Sequence, residues 1–213
     1  MEGTAAVAAV DVGTDAGGDR GTGPEEGWDG DFATSASPLA IGVIVWLASE
    51  VMFFAGLFAA YFVLRSGNDP WPPAGVDLDI PRAALSTVLL LTSSATMHLA
   101  VRAAERGDHR RVGRWLAVTL TLGTLFLVNL GFEWAGLDFS LSTDAYGTSY
   151  YLITGFHGLH VFGGLVLMVA VAALVLGRDS EAPVGPSVAV TGYYWHFVDV
   201  VRGFVFATLY LLQ

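Results

Sequence analysis

Long apolar runs separated by short polar stretches dominate this chain of 213 residues. Each run is close to or above the roughly 20 residues with which an α-helix crosses the hydrocarbon core of a bilayer. The connections contain glycine, proline and charged residues, which end helices, and no segment alternates as the strands of a membrane barrel do. The pattern predicts an all-α membrane protein, a bundle of five transmembrane helices within residues 37–213. The predicted helices cover about 38–64, 82–102, 114–137, 148–176 and 189–212.

The first 36 residues differ sharply from the rest. They hold eight acidic residues and a single arginine, Arg20, among many glycine, alanine and threonine residues. Such a segment buries too little apolar surface to fold, so we expect a disordered acidic tail and no cleavable signal peptide. The remainder is close to charge-balanced and has no basic patch suited to nucleic acid. Only 14 % of all residues are charged, against about 25 % in soluble domains.

The basic residues predict how the chain is oriented in the membrane. The connection between the second and third runs contains five arginines: Arg102, Arg106, Arg110, Arg111 and Arg114. Because basic loops stay on the cytoplasmic side, we expect this connection and the N-terminus inside and the C-terminus outside. All ten basic residues are arginine, which is typical of a GC-rich prokaryotic genome. We therefore expect a multi-pass protein of a prokaryotic plasma membrane.

Glu50 lies in the middle of the first apolar run, "WLASEVMFFAGLFAAYF". An ionised carboxylate is costly to hold in a low-dielectric medium. One interpretation is a protonated carboxyl that donates a hydrogen bond to His157 or His160, at similar depth in the fourth run. The other is a group that exchanges protons or orders a polar path.

His157 and His160 are three residues apart, so both could reach one ion from the same helix face. The absence of cysteine excludes thiolate ligands, and no His–carboxylate motif accompanies the pair. We therefore favour structural histidines, hydrogen-bonded within the bundle beside glycines that permit close helix packing. No metal site and no catalytic residue are predicted.

Three further polar positions lie in the predicted helices. The spacing of Asp199 and Arg202 predicts an ion pair within the last helix, with contact to another subunit as the alternative. His196 could instead share a hydrogen bond with Asp199. Glu133 is expected near the outer interface, where partial hydration makes a carboxylate affordable. Aromatic residues near helix ends are expected to anchor the interface: Trp71, Tyr150, Tyr151, Tyr193 and Trp195.

Four segments, in order, resemble those of one family, subunit III of cytochrome c oxidase and related haem-copper oxidases. "WLASEVMFFAGLFAAYF" resembles the family's membrane-buried glutamate segment, with Glu50 as that glutamate. "LGTLFLVNLGFEW" resembles its glutamate–aromatic segment, here Glu133 and Trp134. "YGTSYYLITGFHGLHVFGG" is similar to its Gly-His-Gly-Leu-His signature, and "YYWHFVDVV" to its closing Trp-His-Phe-Val-Asp element.

The resemblance implies that the chain carries no haem and no copper, which belong to subunits I and II. It implies docking on subunit I, association with subunit II and structural lipids, and support of proton uptake in a complex that pumps protons. That complex reduces oxygen to water with electrons from cytochrome c, in some cases joined to a cytochrome bc complex. The chain departs from the family in two ways: it resembles only the last five of seven helices in the long form, and Arg202 stands where an aromatic residue is common.

Several alternatives stay open at this point. Within the family, the chain could serve a quinol oxidase or the related protein of nitric oxide reductase clusters; a glutamate at position 50 favours the cytochrome c branch. A self-standing proton or ion transporter is a second class, although inverted repeats are not visible. A di-haem electron carrier is a third, with conceivable ligands His98, His157, His160 and His196.

Overall fold

The computed structural model describes residues 38–177 and 185–212, and this part of the chain is helical, without a β-strand. Four helices are long and apolar enough to cross a membrane, and the fifth has 22 residues, or about 33 Å. The last helix continues into a single π-helical turn, Ala207–Leu211. In chain order the helices are α1 (Pro38–Gly67), α2 (Ile80–Glu105), α3 (His109–Ala135), α4 (Ala145–Gly177) and α5 (Gly185–Phe206).

The five helices coincide with the five predicted apolar runs but extend beyond several of them. α2 begins early because the Asp79 side chain accepts a hydrogen bond from the backbone N–H of Arg82 (2.9 Å) and Pro81 lies in the first turn. α3 begins five residues before its run because Asp108 caps it in the same way through Arg111 (3.0 Å). The predicted acidic tail, residues 1–36, lies outside the described residues.

Helices α2 to α5 form the body of the bundle, and α1 lies at its side. α2 packs against α3 and α5, α4 packs against α3 and α5, and α1 packs against α4 and α5. Only 6 % of the apolar window of α1 is buried within the chain, compared with 28–39 % for α2, α3 and α4. α1 therefore exposes most of its apolar surface to whatever surrounds the bundle.

The α2–α3 hairpin is held by polar contacts as well as by apolar packing. Asn129 accepts a hydrogen bond from Arg82 Nε (3.1 Å) and donates one to the Ser86 hydroxyl. Deeper in the bundle, the hydroxyls of Thr96 and Thr119 lie 2.7 Å apart. Such contacts between small polar side chains contribute to helix association where lipid offers no hydrogen-bond partners.

Trp195 of α5 lies at the centre of the bundle and is fully buried. Its Nε1–H donates to the Ser93 hydroxyl of α2 (2.9 Å). The indole lies against two glycines, Gly123 of α3 and Gly164 of α4, and a Cβ on either would come within 2.8 Å of a ring carbon. Trp195 was predicted to anchor the membrane interface, and that prediction is wrong, because these glycines leave room for the indole inside the bundle.

Candidate functional site

Glu50 and His160 form a polar contact between α1 and α4. Glu50 Oε2 lies 3.0 Å from His160 Nε2, and both side chains are partly buried. The other ring nitrogen, Nδ1, lies 2.7 Å from the carbonyl oxygen of Phe156, which can only accept a hydrogen bond. Nδ1 therefore carries a hydrogen, and a second proton must lie between Nε2 and Oε2. The pair holds this proton either as a carboxylic acid donating to a neutral imidazole or as a carboxylate with an imidazolium.

Aromatic side chains surround this pair and add to the attachment of α1. The Phe54 ring meets the His160 ring edge-on at 5.0 Å. The Tyr194 hydroxyl of α5 donates to the backbone carbonyl of His160 (2.8 Å), and Trp46 of α1 stacks on the Tyr194 ring at 5.4 Å. Of the two histidines predicted as partners of Glu50, the structure brings His160 to it.

Glu133 is the acceptor in a buried cluster of α3, α4 and the terminal π-helical turn. Its Oε1 accepts hydrogen bonds from the hydroxyls of Tyr150 (3.0 Å) and Tyr210, which themselves lie 2.9 Å apart. The predicted hydrated position of Glu133 is wrong, because the residue is only 6 % exposed and two phenols replace water. Tyr150, predicted as an interface anchor, is likewise buried. Trp134, which follows Glu133 in the sequence, donates a hydrogen bond from Nε1 to the Thr154 hydroxyl (3.2 Å).

Arg202 is buried in the middle of α5 and bonds to α2 instead of Asp199. Its Nε donates to the Thr87 hydroxyl and its Nη2 to the Ala83 carbonyl oxygen, both at 3.1 Å. The guanidinium lies over the Phe126 ring, 5.0 Å from the ring centre, which adds a cation–π contact. The predicted Asp199–Arg202 ion pair is absent from the described residues, because the long arginine side chain reaches acceptors on the neighbouring helix. Glu133 lies within electrostatic range of Arg202.

Asp199, one turn before Arg202 in α5, also faces α2 and lies next to Ser94. It is 4 % exposed, and its carboxylate oxygens accept no hydrogen bond within 3.5 Å from the described residues. The Ser94 hydroxyl instead meets His196 Nδ1 at 2.6 Å, so the alternative His196–Asp199 hydrogen bond is absent as well. His98 of α2 lies beside His196, with 6.5 Å between ring centres.

His157 of α4 has two other polar side chains near it, His160 of the same helix and Arg202 of α5. It is buried, its ring meets Phe126 edge-on at 5.6 Å, and it is within electrostatic range of His160 and Arg202. Neither ring nitrogen of His157 has a hydrogen-bond partner among the described residues. Both histidines were predicted to be hydrogen-bonded within the bundle, and the described residues show this only for His160. In that same part of the chain no three His, Cys, Asp or Glu side chains lie together as metal ligands would.

Three residues of these clusters were not singled out from the sequence for these roles. Tyr210 and Tyr194 bond across helices, and Ser94 lies between His196 and Asp199. A tyrosine has both an apolar ring and a polar hydroxyl, so position in a run does not tell an interface anchor from a buried hydrogen-bond donor.

Comparison with known proteins gives the family of the chain. A sequence profile of the family described as "Cytochrome c oxidase subunit III" matches residues 24–213. The protein named "Probable cytochrome c oxidase subunit 3" of Nocardia farcinica is 43 % identical over 183 residues, covering 82 % of this chain and 88 % of that protein. "Cytochrome c oxidase subunit 3" of Corynebacterium diphtheriae is 41 % identical over 182 residues, with the same two coverages. That of Thermostichus vulcanus is 36 % identical over 177 residues, covering 81 % and 86 %. The chain belongs to the cytochrome c oxidase subunit III family.

Proposed function

We propose that this chain is the non-redox subunit III of a proton-pumping oxidase that takes electrons from cytochrome c. In this proposal haem and copper are carried by subunits I and II, and this chain docks directly on subunit I. Membership of the family supports the oxidase role, and the names of the relatives, all cytochrome c oxidase subunit 3, favour cytochrome c over quinol as the donor.

The observation that carries the docking proposal is the exposure of α1. Only 6 % of its apolar window is buried within the chain, and its exposed side chains include Ile44, Val45, Met52 and Val63. Exposed apolar surface on this scale suits protein or lipid. Because Glu50 on the inner side of α1 contacts His160 of α4, α1 keeps a fixed face toward α4 and an apolar face outward.

We assign Glu50 a structural role within this proposal. One shared proton and one hydrogen bond to His160 hold α1 against α4, at a depth where water is scarce. The carboxyl then supports the packing of the subunit and is not an obligatory step of proton pumping. Four buried residues and the partly buried His196 likewise set helix positions in this proposal; the four are Glu133, His157, Asp199 and Arg202.

Lipid is the second expected neighbour. An apolar cavity of about 190 Å³ opens between α1 and α5. Phe54, Phe58, Phe197 and Phe204 contribute to its lining, together with valines and an alanine. A phospholipid acyl chain suits a cavity of this shape and composition.

In this proposal the five-arginine connection faces the cytoplasm of a prokaryotic cell, and the C-terminus lies outside.

Purification of the tagged full-length chain from its native membranes in mild detergent tests the proposal. We expect subunits I and II to accompany it, together with the haem spectrum of an oxidase and turnover with reduced cytochrome c. A stable, colourless chain that leaves the oxidase behind would contradict the proposal. A haem spectrum with quinol turnover alone would replace cytochrome c by quinol as the electron donor.

A further inference from the structure

Two neighbouring cavities open at the start of α3, and both are lined by Arg114. The larger, of about 620 Å³, lies between α3 and the end of α4. We call it the arginine pocket; its lining is His109, Arg110, Gly113, Arg114, Ala117 and Leu176. The second cavity, of about 430 Å³, is lined by Arg111, Arg114, Trp115 and Val118. Arg114 thus belongs to the wall that the two cavities share.

The charges of the arginine pocket are not neutralised by the described residues. Arg111 pairs with Asp108, with 3.0 Å between Nε and Oδ2. Arg110 and Arg114 are exposed and make no ion pair within residues 38–177 and 185–212. They are four residues apart on one helix, which places their Cβ atoms about 6 Å from each other. Two guanidinium groups at this spacing can hold one tetrahedral anion between them.

The lining changes from charged to apolar along the helix axis. α3 is polar and basic from His109 to Arg114, and its long apolar stretch begins at Trp115. Ala117 continues the arginine pocket toward the apolar stretch of α3, and Val118 does so for the second cavity, while Leu176 of α4 adds an apolar side chain to the wall of the arginine pocket. A tryptophan next to the last arginine is typical of the membrane–water interface. The pocket therefore combines a cationic part at headgroup level with an apolar part at acyl level.

We propose that the arginine pocket binds the phosphate headgroup of an anionic phospholipid. Arg110 and Arg114 would each donate hydrogen bonds to the phosphate oxygens, while the first carbons of an acyl chain lie along Ala117, with Leu176 at the side of the pocket. A free phosphate ion shares the headgroup chemistry but would leave the apolar part of the pocket empty, so we assign the site to lipid. The inference deepens the lipid-binding part of the proposed function and needs only the membrane-spanning fold.

The helix N-terminus is not what attracts the anion in this proposal. The backbone N–H of Arg111 already donates to the capping Asp108 side chain, whose negative charge also lies at this end of the helix. The attraction comes from the guanidinium groups of Arg110 and Arg114, which make no ion pair within residues 38–177 and 185–212. Arg102 and Arg106 belong to the same connection but line neither cavity, which makes them matched controls of equal charge.

Photo-cross-linking to a phosphatidylglycerol analogue, with a diazirine close to its headgroup, tests the site. The full-length chain, purified with whatever subunits accompany it, is placed in phosphatidylcholine nanodiscs that contain a small fraction of the analogue. The unsubstituted chain, Arg110→Gln with Arg114→Gln, and Arg102→Gln with Arg106→Gln are compared. Adducts on this chain are located by mass spectrometry.

We expect adducts within residues 109–118 of the unsubstituted chain and of the Arg102/Arg106 control. In the Arg110/Arg114 variant the adduct yield should fall about tenfold, because each arginine near an anionic headgroup adds its own electrostatic attraction. Arg110→Lys with Arg114→Lys should restore much of it, which excludes misfolding as the cause of the loss. Co-purification of oxidase subunits, recorded in each preparation, reports separately on the proposed function.

Three results would overturn the proposal. Equal losses in the two glutamine double variants would show that the connection attracts anions as a whole, without a site. Equal labelling by the corresponding phosphatidylcholine analogue would show that negative headgroup charge is not recognised. Loss of labelling in millimolar inorganic phosphate, at constant ionic strength, would assign the pocket to free phosphate instead of lipid.

Discussion

Replacing Gly164 by alanine should destabilise the packing of α4 on α5. A Cβ at this position would lie 2.8 Å from two carbons of the Trp195 ring and 3.0 Å from a carbon of Tyr194. Neither ring is free to move away, because Trp195 is bonded to Ser93 and Tyr194 to the carbonyl of His160. On its far side the indole already touches Gly123, where an added Cβ would be just as close.

The expected magnitude combines two opposing effects. Overpacking of a filled core costs about 1–3 kcal/mol. Alanine in place of glycine within a helix returns about 0.5–1 kcal/mol. The net destabilisation should therefore be about 1–2 kcal/mol, which corresponds to roughly 3–6 °C in apparent melting temperature for a chain of this size.

Gly155→Ala, in the same helix, is the matched control. A Cβ at Gly155 would meet the nearest Trp134 carbon at 3.5 Å, an ordinary van der Waals distance. Both variants of the tagged full-length chain are heated in isolated membranes, and the fraction that stays monodisperse after extraction is measured. A Gly164→Ala chain as stable as the Gly155→Ala chain would refute the packing of the indole against this glycine.

Two further predictions concern charge and topology. Glu133 and Arg202 are both buried within electrostatic range, so the double change to glutamine should cost about 1–3 kcal/mol less than the sum of the single changes. The same cycle with Asp199→Asn should be closer to additive, and stronger coupling of Arg202 to Asp199 than to Glu133 would contradict this assignment and favour the Asp199–Arg202 ion pair. Cysteine introduced at Glu105 into this cysteine-free chain should resist a membrane-impermeant thiol reagent in intact cells, whereas cysteine at Ser142 should react; the reverse would invert the proposed orientation.

The helices could be predicted from the sequence because their signal is local. Twenty or more apolar residues between breakers indicate a membrane helix without knowledge of its neighbours. The starts of α2 and α3 were predicted two and five residues late, because Asp79 and Asp108 bring polar turns into the helices. The sequence also indicates these earlier starts, because an aspartate precedes a proline at the start of α2 and precedes the basic run at the start of α3.

The polar contacts were less predictable, because each depends on a partner distant in sequence. Spacing within α5 favoured Asp199 as the partner of Arg202, yet the arginine reaches Thr87 and Ala83 on α2. Depth alone placed Glu50 near both histidines of α4, and only the rotation of the helices selects His160. The predicted hydration of Glu133 failed for the same reason, because Tyr210, 77 positions further along the chain, covers the carboxylate.

The most direct test of the account is proton pumping by an assembled oxidase that contains Glu50→Gln. The amide N–H₂ of glutamine can donate to a neutral His160 Nε2, so the contact between α1 and α4 survives without the carboxyl group. Glu50→Leu, which removes the hydrogen bond, is the control for loss of packing and should release the subunit more readily in detergent.

Pumping is measured as protons released per electron by the purified complex in sealed vesicles, with subunit content determined on the same preparation. We expect the Glu50→Gln complex to keep its subunits, most of its turnover and the proton-to-electron ratio of the unsubstituted complex. A complex with full subunit content and turnover but a reduced ratio would contradict the account and make Glu50 a proton carrier.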